Sequence, residues 1–243
     1  RSAFESIYVN HYKQDSIPFR WQVNDDYTLV YITQGNGRRF IGDSMSDFQA
    51  GELIIIPPRI PFAFISDYEY INGGCQFIWM RFHPQFAGEQ FFSIPETSLI
   101  AGLLNKASKG LVLNDLGDAL SSIFLEITKM TRLNRFLTLV TFLDSLANLP
   151  SETLVSENYK ACTSEEDMNR VHEVCGYMNL HYQKGLSAEQ IGALIHMSAP
   201  SFCRFFKRVM NKTFHYYLCE IRIALAQRLL LSTDMYTEDI GKR

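Results

Sequence analysis

The chain has 243 residues, 47% hydrophobic and 20% charged, with a formal net charge of −3 at pH 7. These proportions exclude an intrinsically disordered chain, and the slight negative balance excludes a protein that coats nucleic acid over its whole surface. The five cysteines, Cys75, Cys162, Cys175, Cys203 and Cys219, are odd in number and form no C-x-x-C. That excludes a disulfide scaffold and points to reduced thiols in a cytoplasmic protein.

No stretch approaches the roughly 18 apolar residues of a membrane span. The opening RSAFESIYVN has neither an apolar signal core nor an initiator Met, so the N-terminus reads as cropped or processed. Charge is unevenly spread. Residues 1–164 hold 13 Lys/Arg and 17 Asp/Glu, whereas residues 184–228 hold 7 and 2, a local excess of five positive charges. An acidic front half precedes a basic back segment.

Up to about residue 85 the pattern is one of short β-rich runs: YTLVYIT (27–33), RRFI (38–41), ELIIIP (52–57), FAFI (62–65) and CQFIWMRF (75–82). QGNG (34–37) between the first two reads as a hairpin turn, because Gly and Asn tolerate positive φ. Many short strands at this spacing predict an antiparallel barrel or sandwich.

From about residue 96 the period changes. Leu116, Leu120, Ile123, Ile127 and Met130 step by 4, 3, 4 and 3, the seam of a helix, and LNRFLTLVTFLDSLANL (133–149) follows as a second helix. Such a hairpin either covers the barrel or buries its seam against a second copy, and the second is expected here, giving a homodimer. Residues 150–165 are polar and aperiodic and read as a linker. Beyond them, SEEDMNRVHEVCGYMNLHYQ (164–183) opens with a Ser-x-x-Asp capping box, and Ser187 with Gln190 caps a short helix over 187–195.

After the turn HMS, the stretch APSFCRFFKRVMNKTF (199–214) interleaves aromatic and basic residues. With Ser198 as N-cap and Pro200 in the first turn, a step of about 100° per residue puts Phe202, Phe205, Phe206 and Val209 on one face. Pro200, Cys203, Arg204 and Lys207 fall on the other. A short helix, a tight turn and a second helix with a basic outer face is a helix-turn-helix. The outer strip suits DNA base edges through Pro200, Cys203 and Arg204, with phosphates met by Lys207, Arg208 and Lys212. A long helix over 213–233 follows, and MYTEDIGKR begins another.

Catalytic chemistry finds little support. The six histidines form no H-x-H or H-E-x-x-H, and neither a phosphate loop nor a G-x-S-x-G occurs, so no catalytic residue, metal or cofactor is expected.

The run LSAEQIGALIHMSAPSFCRFFKRVMNKTFHYYLCEIRIALAQRLLLSTDMYTEDIGKR resembles the DNA-binding domain of the AraC/XylS family of bacterial transcription regulators. The likeness lies in Ser198, Phe202, Arg204, Phe206 and Lys207, in Thr213-Phe214, and in RIALAQRLLLSTD as the connecting helix. The resemblance implies two helix-turn-helix units, of which TEDIGKR matches only the first helix of the second. It therefore implies weak operator binding or none by this chain, and operator binding by the complete protein. The front half resembles the family's cupin-like sensor in WQVNDDYTLVYITQGNGRRFIG and AGELIIIPPRIPFAF. Gln22, Asn24, Asp26 and Phe62 stand at the positions of metal ligands in metal-binding cupins, and amides and a Phe ring cannot assemble a transition-metal site.

The expectation is thus an α+β chain. A cupin-like antiparallel barrel (1–95) precedes a helical dimerisation segment (96–149), a linker (150–165) and a partial all-α helix-turn-helix domain (166–243). Trp21, Gln22, Asn24, Asp26 and Phe62 would line a pocket for a small molecule such as a carbohydrate. A second reading is a non-enzymatic cupin-like scaffold whose helical tail contacts protein.

Overall fold

A computed structural model describes residues 6–15, 17–66, 74–114, 116–159, 164–232 and 238–239. Nine strands and seven α-helices are found among them: β1 (Ile7–Gln14), β2 (Tyr27–Gln34), β3 (Asn36–Ile41), β4 (Ser44–Gln49), β5 (Leu53–Ile56), β6 (Phe62–Ile65), β7 (Cys75–Phe82), α1 (Ser98–Lys106), β8 (Leu111–Leu113), α2 (Gly117–Ile127), α3 (Arg132–Ala147), β9 (Glu152–Thr153), α4 (Glu165–His181), α5 (Ala188–Leu194), α6 (Ala199–Met210) and α7 (Phe214–Ser232).

The apolar run LIII of β5 is buried at every residue because it is covered on both faces. It lies inside a six-stranded antiparallel sheet of order β1-β7-β2-β5-β8-β9, which faces a three-stranded sheet of order β4-β3-β6. In the large sheet Leu29 pairs with Ile55 on one side and Met80 on the other. In the small one Phe40 pairs with Met45 and Ala63.

Period-two alternation then sorts the side chains into three cores separating four layers. Leu29, Tyr31, Leu53, Ile55, Ile78 and Met80 project outward from the large sheet and are covered by Phe124, Ile127, Leu139, Phe142 and Leu143 of α2 and α3. Val30, Ile32, Ile54, Ile56, Phe62, Phe64 and Phe77 fill the space between the sheets. Phe40 and Ala63 leave the small sheet on its other side and join the α4–α7 core of Val171, Cys175, Met178, Phe202, Phe206 and Tyr217. A buried ion pair, Arg39 on β3 with Glu52 before β5, also joins the two sheets.

QGNG is a corner rather than a hairpin. β2 pairs with β5 and β7, and β3 pairs with β4 and β6, so the chain changes sheets at Gly35. The turn chemistry was legible, but sheet membership depends on partners remote in sequence. Gly35 has φ 92°, and a Cβ there would sit 2.5 Å from Cys75 Sγ, so the corner needs glycine for conformation and for room.

The segment expected to be purely helical also holds β8, which continues the large sheet beside β5, and residues of the expected linker supply β9. Met130 lies beyond the end of α2. Leu116 and Ile127 are buried in the chain's own core, with Leu120 packed against it and Ile123 37% exposed. The 4-3-4-3 seam is therefore satisfied largely by the large sheet, and the exposed large apolar residues of the helical hairpin are Ile123, Leu125, Leu133 and Leu137. Cys162, and MYTEDIGKR apart from the helical Glu238 and Asp239, lie outside the described residues.

Candidate functional site

The helix-turn-helix is built locally. Ser187 and Gln190 form a complete capping box at the start of α5. Gly192 lets α5 pack closely against the turn and the first part of α6: a Cβ there would approach Met197 O to 2.7 Å and Phe202 Cβ to 3.2 Å. His196 turns the chain with φ 56°. α6 begins after Ser198, which holds the N-cap position in extended conformation, yet its hydroxyl bonds to Ser201 Oγ rather than to a backbone N–H. Asn211, left-handed at φ 55°, ends the helix.

α6 divides cleanly. Phe202, Phe205, Phe206, Val209 and Met210 are buried, with Phe202 5.4 Å from Phe214 and Phe206 5.6 Å from Tyr217 between ring centres. Pro200, Cys203, Arg204 and Lys207 are exposed. Two of the three basic residues assigned to phosphate are engaged within the chain: Arg208 donates to Asp167 at 2.9 Å, and Lys212 pairs with Glu220 at 2.9 Å. Lys207 makes no ion pair among the described residues.

The second site is a cavity of about 310 Å³ at one end of the space between the sheets, lined by Tyr12, Gln14, Ile17, Pro18, Arg20, Gln22, Phe64, Phe77 and Trp79. Of the five pocket residues expected from sequence, Gln22 lines it. Phe62 is buried one layer behind, its ring 5.7 Å from Trp79. Asn24 donates to Thr28 Oγ1, and its carbonyl accepts from Arg59 N, where the chain turns away into β2. Asp26, partly buried, likewise does not reach this lining. Trp21 faces the opposite way. Neighbouring residues of an extended chain point to opposite sides, so Trp21 and Gln22 do not share this pocket.

Half of the lining residues that sequence reasoning missed come from β1 and β7, and the rest are Ile17, Pro18, Arg20 and Phe64. In CQFIWMRF the alternation Phe77, Trp79 against Ile78, Met80 carries the signal. In IYVNHYKQ the polar outer residues hide the strand. The Trp79 indole N–H is buried with no hydrogen-bond partner among the described residues, and Tyr12 O–H donates to Gln14 Oε1 at 2.6 Å. Burial pushes the Tyr12 hydroxyl above its ordinary pKa, with Cys75 adding to the effect, so Tyr12 stays a neutral donor. No three His, Cys, Asp or Glu residues converge on a possible metal position among the described residues.

Trp21 belongs instead to the joint between the small sheet and the helices. Its backbone N–H donates to His172 Nδ1 at 3.3 Å, and Phe19 stacks on the His172 ring at 6.4 Å. Phe40 lies 5.1 Å from Phe19 and 6.0 Å from Tyr217. Arg38, nearly buried, reaches Ile221 O at 3.5 Å and Asp47 at 3.6 Å. The Cys175 thiol lies against the Tyr217 hydroxyl and the Trp21 indole, and burial pushes its pKa up to about 12. At the rim, Asp43 accepts from Asn211 Nδ2 at 2.8 Å and from Ser156 Oγ at 2.5 Å. Partial burial opposes ionisation of Asp43, but these hydrogen bonds together outweigh it and hold the carboxyl below its usual range.

No helix among the described residues is long and apolar enough to cross a membrane. No curated protein matches the chain. Similar solved structures include ToxT from Vibrio cholerae O395 bound to (E)-4-(8-methylnaphthalen-1-yl)but-3-enoic acid, at 14% identity and TM-score 0.44, covering 89% of this chain and 100% of that one. The AraC-like transcriptional activator CuxR matches at 13% identity and TM-score 0.39, with 91% and 77% covered. A cupin 2 conserved barrel domain protein from Rhodopseudomonas palustris matches at 18% identity and TM-score 0.29 over 34% of this chain and 55% of that one. The model of the AraC-like ligand binding domain matches residues 6–102, the stretch that holds β1 to β7 and every residue lining the cavity.

Proposed function

We propose that the chain is a ligand-responsive transcription regulator without catalytic activity, in which a small molecule enters the cavity between the sheets and α6 reads promoter DNA. The observation that carries the DNA half is the division of α6. Its aromatic face is locked into the helical core, while Pro200, Cys203, Arg204 and Lys207 form a solvent-facing row with no packing role. Such a row fits a major groove, with Arg204 donating to a guanine and the small apolar groups meeting a thymine methyl. Lys207 is the phosphate contact best placed to act at once. Arg208 and Lys212 must exchange Asp167 and Glu220 for phosphate, which lowers their net contribution.

Fluorescence anisotropy on a DNA sequence selected from a random pool tests this. Arg204→Ala should weaken binding by about 1–3 kcal/mol, roughly 5- to 150-fold, and relax preference at one base pair. Lys207→Ala should instead flatten the salt dependence by about one counterion. Affinity indifferent to both substitutions and to salt would favour the scaffold reading, in which α4–α7 bind protein.

For the effector, the flat faces of Phe64, Phe77 and Trp79 offer stacking, the Gln14 and Gln22 amides offer hydrogen bonds, and Arg20 is the sole charged group of the lining. A carbohydrate fits this set, and an acidic one best, because its carboxylate can pair with Arg20. In Trp21→Phe protein, Trp79 is the single tryptophan and its emission reads the cavity. Titration with uronic acids should quench it more strongly than titration with neutral monosaccharides. A homodimer is proposed through Leu133 and Leu137, 65% and 52% exposed one helical turn apart on α3.

A further inference from the structure

The inner face of the large sheet continues past the end of the cavity. Tyr12, Phe77 and Trp79 of the lining sit on β1 and β7, and period two carries that face on to Tyr8, Asn10 and Arg81. The register sets two rows across the strands: Asn10, Trp79 and Val30, then Tyr8, Arg81 and Thr28. Arg81 therefore lies two residues, roughly 7 Å, beyond Trp79 along β7. Asn24 donates to Thr28 Oγ1 at 3.1 Å and walls the second row on the β2 side. On the other side β1 is the edge of the sheet, with Tyr8 and Asn10 exposed. The floor of the cavity thus runs out into an open shelf. The Arg81 guanidinium lies flat over the Tyr8 ring, 4.8 Å from its centre, which fixes its plane and leaves its N–H edge unused. Neither Arg81 on the shelf nor Arg20 in the cavity lining has an ion pair among the described residues.

We propose that the effector is an acidic oligosaccharide rather than a single sugar: one ring stacks on Trp79 with its carboxylate on Arg20, and the next lies along the shelf with its carboxylate on Arg81. This deepens the reading of the cavity as the effector site and rests on it. At about 310 Å³ the cavity lies at the low end of small-molecule sites, so a second ring overruns it onto the shelf. Each unpaired guanidinium is planar and matches one carboxylate bidentately. Asn10, directly across from Trp79, brings an amide between the two for ring hydroxyls. Because the second ring is tethered to the first, its ion pair adds affinity without a second loss of translational freedom. Tyr8 touches Arg81 rather than the carboxylate, which makes it a positioning residue for the shelf.

The test uses Trp21→Phe protein, in which Trp79 is the single tryptophan. Its emission is titrated with galacturonate and digalacturonate, and with mannuronate and dimannuronate. The same titrations are run on Arg81→Gln, Arg20→Gln and Tyr8→Leu variants of that protein. All three side chains are at least partly exposed, so the fold should survive, and circular dichroism checks it. At least one dimer should bind on the order of tenfold or more tightly than its monomer, the worth of one charge-assisted pair. Arg81→Gln should erase that advantage and leave the monomer within about twofold, whereas Arg20→Gln should weaken monomer and dimer alike. Tyr8→Leu should cost the dimer about two- to fivefold and the monomer nothing, the mark of a residue that acts through Arg81. Dimers no tighter than their monomers, or an Arg81→Gln change that weakens both equally, would overturn the shelf while the cavity reading stands. If no acidic sugar of either length quenches Trp79, the cavity reading falls and the shelf falls with it.

Discussion

The outer faces of the two sheets are covered in opposite ways. The large sheet is covered by α1–α3, close in sequence, through an almost wholly apolar core in which Phe124 and Phe142 lie 5.1 Å apart and Phe124 meets Tyr31 at 5.6 Å. The small sheet is covered by α4–α7, well over a hundred residues on, through a joint that mixes Phe40 and Trp21 with Arg38, His172, Cys175 and the Asp43–Asn211 rim. Apolar burial stabilises without directional demand, whereas each polar group in the second joint must keep its partner or return to water. The first covering is built as a permanent part of the domain. The second resembles an interface between domains, where relative motion is the default.

The comparison breaks most severely if the apolar side is opened. Phe142→Ala removes a ring that is 1% exposed, and a buried Phe→Ala change costs about 3–5 kcal/mol. Urea denaturation followed by circular dichroism should show one cooperative transition at a much lower midpoint, with cavity and joint lost together. Phe40→Ala deletes an equally buried ring from the other sheet, yet the outcome should differ. Its loss weakens docking by roughly 1.5–3 kcal/mol, the burial value of the side chain, and leaves the six-stranded sheet intact. Alkylation of Cys175 should rise well before the barrel unfolds. A Phe40→Ala protein that loses the barrel at the same urea concentration as Phe142→Ala would show that the two coverings do not differ.

Parts of this contrast were legible in the sequence, and the limit has a physical cause. The strands ELIIIP and CQFIWMRF follow from short β-branched and aromatic runs and the two faces of α6 from period 3.6, all properties of the local chain. The α+β order was readable for the same reason. Which sheet a strand joins was not readable: the QGNG corner has the residues of a hairpin, and only the Cys75 contact and the pairings of β3 reveal a change of sheet. Of the expected pocket residues, Trp21 is lost to parity, since it projects opposite to Gln22, whereas Asn24 and Asp26 share the parity of Gln22 and are lost because the chain turns away into β2. Phe40 and Trp21 find Tyr217 and His172 far along the chain, and nothing near them in sequence marks a partner there.

The smallest expected effect lies at the rim and sharpens the comparison through pH. The Asp43 carboxyl is held below its ordinary pKa of 3.8, so docking favours its ionised form. A group depressed in the docked state contributes stability that is fully present above its ordinary pKa and is lost as pH falls through the docked value. Protection of Cys175 should therefore be flat in Asp43 from pH 7 to about 5 and weaken below about 4. Asp43→Asn should lower protection at pH 7 by about 0.5–1 kcal/mol, discounted because the carboxylate is partly open to solvent, and should remove this acid limb of the docking curve. The apolar covering has no such group in its core, so protection of α2 and α3 amides should not change between wild type and Asp43→Asn at any pH where the barrel stays folded. An acid limb that persists in Asp43→Asn would move the titration to another group in the joint. A protection change in α2 and α3 would mean that the two coverings open as one unit.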